Sequence, residues 1–188
     1  MFIMFKNNLY LLYILKFTGA FCILYFGTKA IIGITVPGGY YSPWVQHYFN
    51  YPRVLRDSLL HGTRILVKLF GMETYLRDAY HVTMVGGRGV RIVYACLGYG
   101  LFSFWLAFIF ANSGSLSKKL LWILGGCVLI WFINVVRISL VLVATNRHWK
   151  PFFTMDQHTL FTIVVYAFIF LMMWLFQRSE KKQGGKVG

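Results

Sequence analysis

Acidic residues are nearly missing from this chain: five Asp and Glu stand against 19 Lys and Arg among 188 residues, a formal net charge of +14. Charge of either sign is scarce, at 13% of residues, about half of the roughly 25% carried by soluble domains. So little polar surface excludes a water-soluble globule. Intrinsic disorder is excluded by the opposite trait. Disordered segments are poor in apolar and aromatic residues, whereas 58% of this chain is hydrophobic and 19% aromatic. Cysteine is also sparse, and Cys22, Cys96 and Cys127 form an odd, small set that implies no disulfide framework. His47, His61, His81 and His148 show no HExxH spacing and no CxxC occurs, so neither a metal nor another cofactor is expected. Phosphate loops and dinucleotide fingerprints are absent too; Gly86-Gly87-Arg88-Gly89 reads as a turn.

What is present is long apolar stretches, reflected in a mean hydropathy of +0.61. Four segments, residues 9–34, 97–113, 120–145 and 159–176, read as spans of a hydrocarbon core, which takes about 20 helical residues. The first is interrupted by Lys16 and Lys29 where snorkelling is possible, and it lacks a small-residue cleavage site, so it reads as an uncleaved anchor. Trp105, Trp122, Trp131, Trp149 and Trp174 lie around these segments, where some suit interface anchors. Cys22 and Cys127 sit inside apolar runs as small core residues. Most basic residues lie beside apolar stretches, which points to anionic lipid headgroups and not to nucleic acid.

Residues 37–95 form the one sizeable non-membrane region, opening with the turn-rich Pro37-Gly38-Gly39-Tyr40-Tyr41-Ser42-Pro43. Leu55, Leu59, Leu66 and Phe70 then recur at helical spacing among Arg53, Arg56, Arg64 and Lys68. The pattern suits an amphipathic helix on a membrane surface, or equally a soluble helix packed within the loop. Tyr80–Val85 and Val90–Tyr94 flank the glycine turn and predict a short β-hairpin. Residues 177–188 read as a disordered basic tail. The expected fold is therefore an all-α integral membrane protein with about four transmembrane helices, an extracytoplasmic amphipathic helix and a short hairpin. With four spans both termini share a face, which carries seven basic residues against nine opposite. Setting aside the long loop, which weighs little in the positive-inside rule, leaves seven against two and favours cytoplasmic termini.

Three polar side chains stand out: Cys96 between hairpin and second span, Arg137 within the third segment, and His158 at the start of the fourth. Counted from cytoplasmic ends near Ser115, Lys119 and Gln177, they lie about 19, 18 and 19 residues up. At about 1.5 Å per residue that is roughly 27–29 Å, near the far edge of the hydrocarbon core. No Asp or Glu occurs between Asp78 and Asp156. Arg137 therefore either reaches Asp57, Glu73, Asp78 or Asp156, or holds a ligand's oxyanion or peptide carbonyl. Each residue also has a plain structural account: Cys96 as an inert thiol, His158 as a helix cap, Asn134 as a helix-to-helix hydrogen bond. Together they suit cysteine acyl transfer, because a thiolate is the nucleophile, neighbouring Arg⁺ or His⁺ favours it, and His can protonate a leaving amine.

The order Tyr94-Ala95-Cys96-Leu97-Gly98, Asn134-Val135-Val136-Arg137-Ile138 and then His158 resembles the exosortase/archaeosortase family, over roughly residues 82–176. The family's motifs are a Cys in A-C-S-G, an Arg in N-x-x-R and a third basic residue. This chain differs in having Leu97 at the Ser position and in a smaller number of spans. The resemblance implies a membrane cysteine transpeptidase or protease with its active site on the extracytoplasmic face of a bacterial or archaeal cytoplasmic (inner) membrane. Its implied substrates are exported proteins ending in a short motif, a transmembrane helix and a basic cluster; the acceptor nucleophile is unspecified. By the same resemblance Cys96, Arg137 and His158 are catalytic, with Asn134 and Asp156 binding or orienting substrate. A competing expectation is a non-catalytic assembly partner or lipid-binding scaffold that uses Arg137 and His158 for headgroup or helix contacts.

Overall fold

The computed structural model describes residues 2–36, 40–147 and 157–184. The chain is mostly helical, in the order α1 (Phe2–Thr35), α2 (Pro43–Tyr48), α3 (Tyr51–Leu69), β1 (Thr74–Leu76), β2 (His81–Met84), β3 (Gly89–Arg91), a 3-10 turn (Tyr94–Leu97), α4 (Tyr99–Ala111), α5 (Leu116–Arg147) and α6 (Gln157–Gly184). It divides into two compact units, one of residues 1–58 and 93–130, the other of residues 59–92 and 131–188.

In the first unit α1 packs along α4. Their contact is aromatic: Phe17 meets Phe104 edge-on with ring centroids 5.4 Å apart, and Tyr25 lies 5.4 Å from Tyr99. Trp105 is fully buried here, with its indole N–H donating to the Trp122 carbonyl at 3.1 Å. A side chain at Gly126 would collide with that indole, so the glycine is what lets α5 lie against the ring. Trp105 is thus a core residue of α4 and not an interface anchor. α4 ends where the Asn112 side-chain amide and the Lys119 ammonium donate to the Phe108 and Phe110 carbonyls, satisfying acceptors that a helix end leaves open.

In the second unit β1, β2 and β3 form an antiparallel meander, with Leu76 opposite Val82 and Val82 opposite Val90. The pair β2–β3 is joined through Gly86 at φ 72°, a left-handed conformation that glycine adopts without strain. β1 is a strand that the sequence reading does not contain. Helix α3 meets α5 at Gly62, where a β-carbon would press on the Trp131 ring and Val135. The buried face of α3 runs through Arg56, Leu59, Leu60, Thr63 and Val67. That differs from the sequence expectation: Phe70 is exposed, and Arg56, expected on the basic face, is buried and donates to Asp57 at 3.0 and 3.1 Å.

α1 over Tyr10–Thr35 and α5 are long and apolar enough to cross a membrane, while α4 and the Ile163–Ser179 stretch of α6 are shorter apolar helices. Their outward faces are apolar as well. On α6, Val165, Ile169, Met172 and Phe176 are buried at helical spacing, while Val164, Phe168, Leu171 and Leu175 between them are exposed. Exposed apolar area on that scale suits hydrocarbon and not water. α6 also continues to Gly184, so residues 177–184 are helical where the sequence reading expects a disordered tail.

Candidate active site

Cys96 lies in the 3-10 turn that delivers the chain from β3 to α4. Its N–H donates to the Val93 carbonyl at 2.8 Å, and Leu97 beside it is buried as the anchor of the turn. Gly98 then takes φ 72°, and its carbonyl accepts the first α4 hydrogen bonds from Leu101 at 2.9 Å and Phe102 at 3.1 Å. A side chain at position 98 would be strained in that conformation. The glycine of the Cys-x-Gly sequence is therefore what permits a tight turn to be followed at once by a helix. Cys96 is half-buried, a free thiol two residues before the Gly98 cap of α4.

Arg137 occupies the second half of α5, ten residues before the helix ends at Arg147. It shares a helix face with Asn134, one turn earlier and 1% exposed. Among the described residues Arg137 has no salt bridge. α5 is one unbroken helix of 32 residues, about 48 Å long, well beyond a hydrocarbon core of about 30 Å. Its far end is held by the sheet. The Asn146 Oδ1 accepts the Arg88 N–H at 2.6 Å, and its Nδ2 donates to the carbonyls of Arg88 at 3.0 Å and Leu142 at 2.8 Å. This role for Asn146 is missing from the sequence reading, because the partner is main chain 58 residues away.

His158 is the second residue of α6. Asp156 lies outside the described residues. Cys96 belongs to the first unit, Arg137 and His158 to the second. A further acid–base pair sits beside the sheet: the Asp78 carboxylate accepts N–H bonds from Tyr80 and His81 at 2.7 and 2.9 Å and lies 2.7 Å from the His81 Nδ1. The Tyr80 N–H, followed by the His81 side chain, holds the Asp78 carboxyl below its ordinary range. Among the described residues no group of three or more His, Cys, Asp or Glu is arranged to hold a metal ion.

A family model described as transmembrane exosortase matches residues 8–175. The chain belongs to that family. The match runs from α1 into α6, so it takes in α2 to α5 and the sheet whole and most of α1 and α6. No curated protein and no solved structure matches this exosortase-family chain.

Proposed function

We propose that this chain is a membrane-embedded cysteine transpeptidase or protease that cleaves C-terminal sorting signals of exported proteins through a thioester. Arg137 carries the proposal. A half-buried guanidinium within a membrane-spanning helix is costly without a partner, and among the described residues no acid is paired with it. Its planar donors suit a substrate carbonyl or the oxyanion that forms from it.

In the proposed reaction the Cys96 thiolate adds to the scissile carbonyl carbon while Arg137 holds the developing oxyanion. The C–N bond then breaks, His158 gives a proton to the departing amine, and an acyl-thioester remains on Cys96. An acceptor nucleophile, or water, next adds to the thioester carbonyl, its proton passes to His158, and Cys96 departs as thiolate. Asn134 and Asp156 orient the substrate. In this reading the chain has four spans, α1, α4, α5 and α6, with both termini in the cytoplasm and the reaction at the extracytoplasmic face of a bacterial or archaeal cytoplasmic membrane. The length of α5 supports that register. Arg137 lies about 21 residues, or about 31 Å, from its start, at the limit of the hydrocarbon core. Substrates are exported proteins ending in a motif, an apolar helix and a basic cluster; anionic lipids surround the basic ends of the spans.

The decisive experiment is co-expression of Cys96→Ala with a candidate substrate of that tripartite form. Unprocessed substrate beside normal levels of membrane-inserted variant is expected; normal processing overturns the proposal.

A further inference from the structure

Between α1 and α3 the chain exposes five large aromatic residues within ten positions: Tyr40, Tyr41, Trp44, Tyr48 and Phe49. Trp44 and Tyr48 are 61% and 67% exposed, although their rings meet at a tilt of 47° with centroids 5.6 Å apart and Trp44 lies 5.3 Å from Phe49. The rings are ordered against each other yet turned away from the protein. This ledge is fixed to the end of a membrane-spanning helix. The Ser42 N–H donates to the Ile34 carbonyl at 3.0 Å, and the Tyr51 hydroxyl meets Thr28 Oγ1 at 2.6 Å, so the segment from α2 into α3 folds back on α1.

We propose that α2 and its flanks are an interfacial anchor, seated in the lipid headgroup layer where α1 leaves the hydrocarbon. Three observations choose lipid as the occupant. The helix that carries the ledge is itself apolar on its outside, with Ile23 and Phe26 exposed. Four of its five rings bear an N–H or O–H, the amphipathic type that settles at membrane interfaces, with ring in hydrocarbon and polar edge in water. The next turn of chain presents Arg53, whose side chain stays 58% exposed beside Asp57 at 3.7 Å, so its outer edge is open to anionic headgroups. Because the rings already pack against one another, insertion orders little that is not ordered beforehand. The inference is independent of the chemistry assigned to Cys96.

Its test is depth. Trp44→Cys and Tyr48→Cys are made in a Cys22→Ala, Cys96→Ala, Cys127→Ala background, nitroxide-labelled and reconstituted in phosphatidylcholine–phosphatidylglycerol vesicles. Power saturation with oxygen and a water-soluble nickel complex is expected to place both labels about 5–10 Å into the headgroup–acyl boundary, with oxygen collisions dominant. Labels as open to the nickel complex as a free aqueous nitroxide overturn the proposal. So do labels shielded from both reagents, which would mean that protein covers the ledge. A second arm keeps the native ring contacts nearly intact: Trp44→Phe should remove part of the tryptophan emission quenched by lipids brominated near the headgroup. An unchanged quenched fraction overturns the proposal as well.

Discussion

Asn146, near the end of α5, holds both main-chain polar groups of Arg88, a residue 58 positions earlier: it accepts the N–H at 2.6 Å and donates to the carbonyl at 3.0 Å. One amide side chain thereby reads a turn as a base pair reads its complement, with one donor and one acceptor. Gly87 is part of the same device, since a β-carbon there would fall on the Asn146 Oδ1. Asn146→Ala removes the partners, and Gly87→Ala removes the room for them. Each should cost about 0.5–1.5 kcal/mol of stability, the net worth of an ordinary hydrogen bond, because Arg88 is exposed and water takes up the freed groups. Exchange of the Arg88 amide should accelerate in both variants, read by hydrogen–deuterium exchange in lipid nanodiscs. An Arg88 amide that exchanges at the native rate in Asn146→Ala would show that the turn is held by something else.

Arg137→Lys tests the guanidinium separately from its charge. A point ammonium cannot reproduce a planar pair of donors. Insertion into the membrane should be unchanged and substrate processing should fall about 10²–10³-fold, the usual loss for one oxyanion donor. Pulse-labelling of substrate maturation measures this. Native processing would move Arg137 into a structural role.

Gly126→Ala should disrupt the first unit by pushing a methyl group into the Trp105 indole. Overpacking of this kind costs typically about 1–3 kcal/mol, and it should appear as a lower unfolding temperature in detergent. Trp105→Phe in the same background makes room and removes the donor to Trp122, so it should recover part of the loss. A Gly126→Ala protein as stable as the native one would mean that α5 shifts freely at this point.

Asp78 gives the sheet region an acid sensitivity. Its carboxyl is held below the ordinary range by the Tyr80 and His81 groups, so the folded state favours the carboxylate. The stabilisation is then complete above the unfolded carboxylate value, about 3.9. It is lost as pH falls through the lower folded value. Protection of the Tyr80 and His81 amides should therefore persist at neutral pH and fade below about pH 4. Asp78→Ala should show no such step. Protection that strengthens on acidification would reverse the assignment.

The apolar stretches are the part of the fold that reads directly from sequence, because a helix in hydrocarbon has to satisfy its own backbone and advertises itself by composition. α1 and α5 are therefore plain at the level of residues. The face of α3 is not. Its buried stripe includes Arg56 and Thr63, two polar residues that break the apolar pattern, and the misplaced stripe ended on Phe70, which is exposed. Trp105 is ambiguous for a similar reason, since an indole serves an interface or a core equally and only the Trp122 carbonyl decides which. β1 is three residues long, too short for an alternating pattern. Of the candidate site, the setting of Cys96 between β3 and a glycine is legible in Cys-x-Gly. The grip of Asn146 on a main chain 58 residues away leaves no mark in sequence, because backbone groups look alike at every position.

That grip also has an order in time. A ribosome adding about 5–20 residues per second needs roughly 3–12 s to advance from Arg88 to Asn146, the 58 positions that separate them. During that interval the β2–β3 turn exists without the side chain that holds it, while α4 and most of α5 are still being synthesised. The sheet is thus among the earlier parts of its unit to be synthesised and among the last to be locked. A nascent chain arrested before Asn146 should carry a hairpin that opens and closes freely.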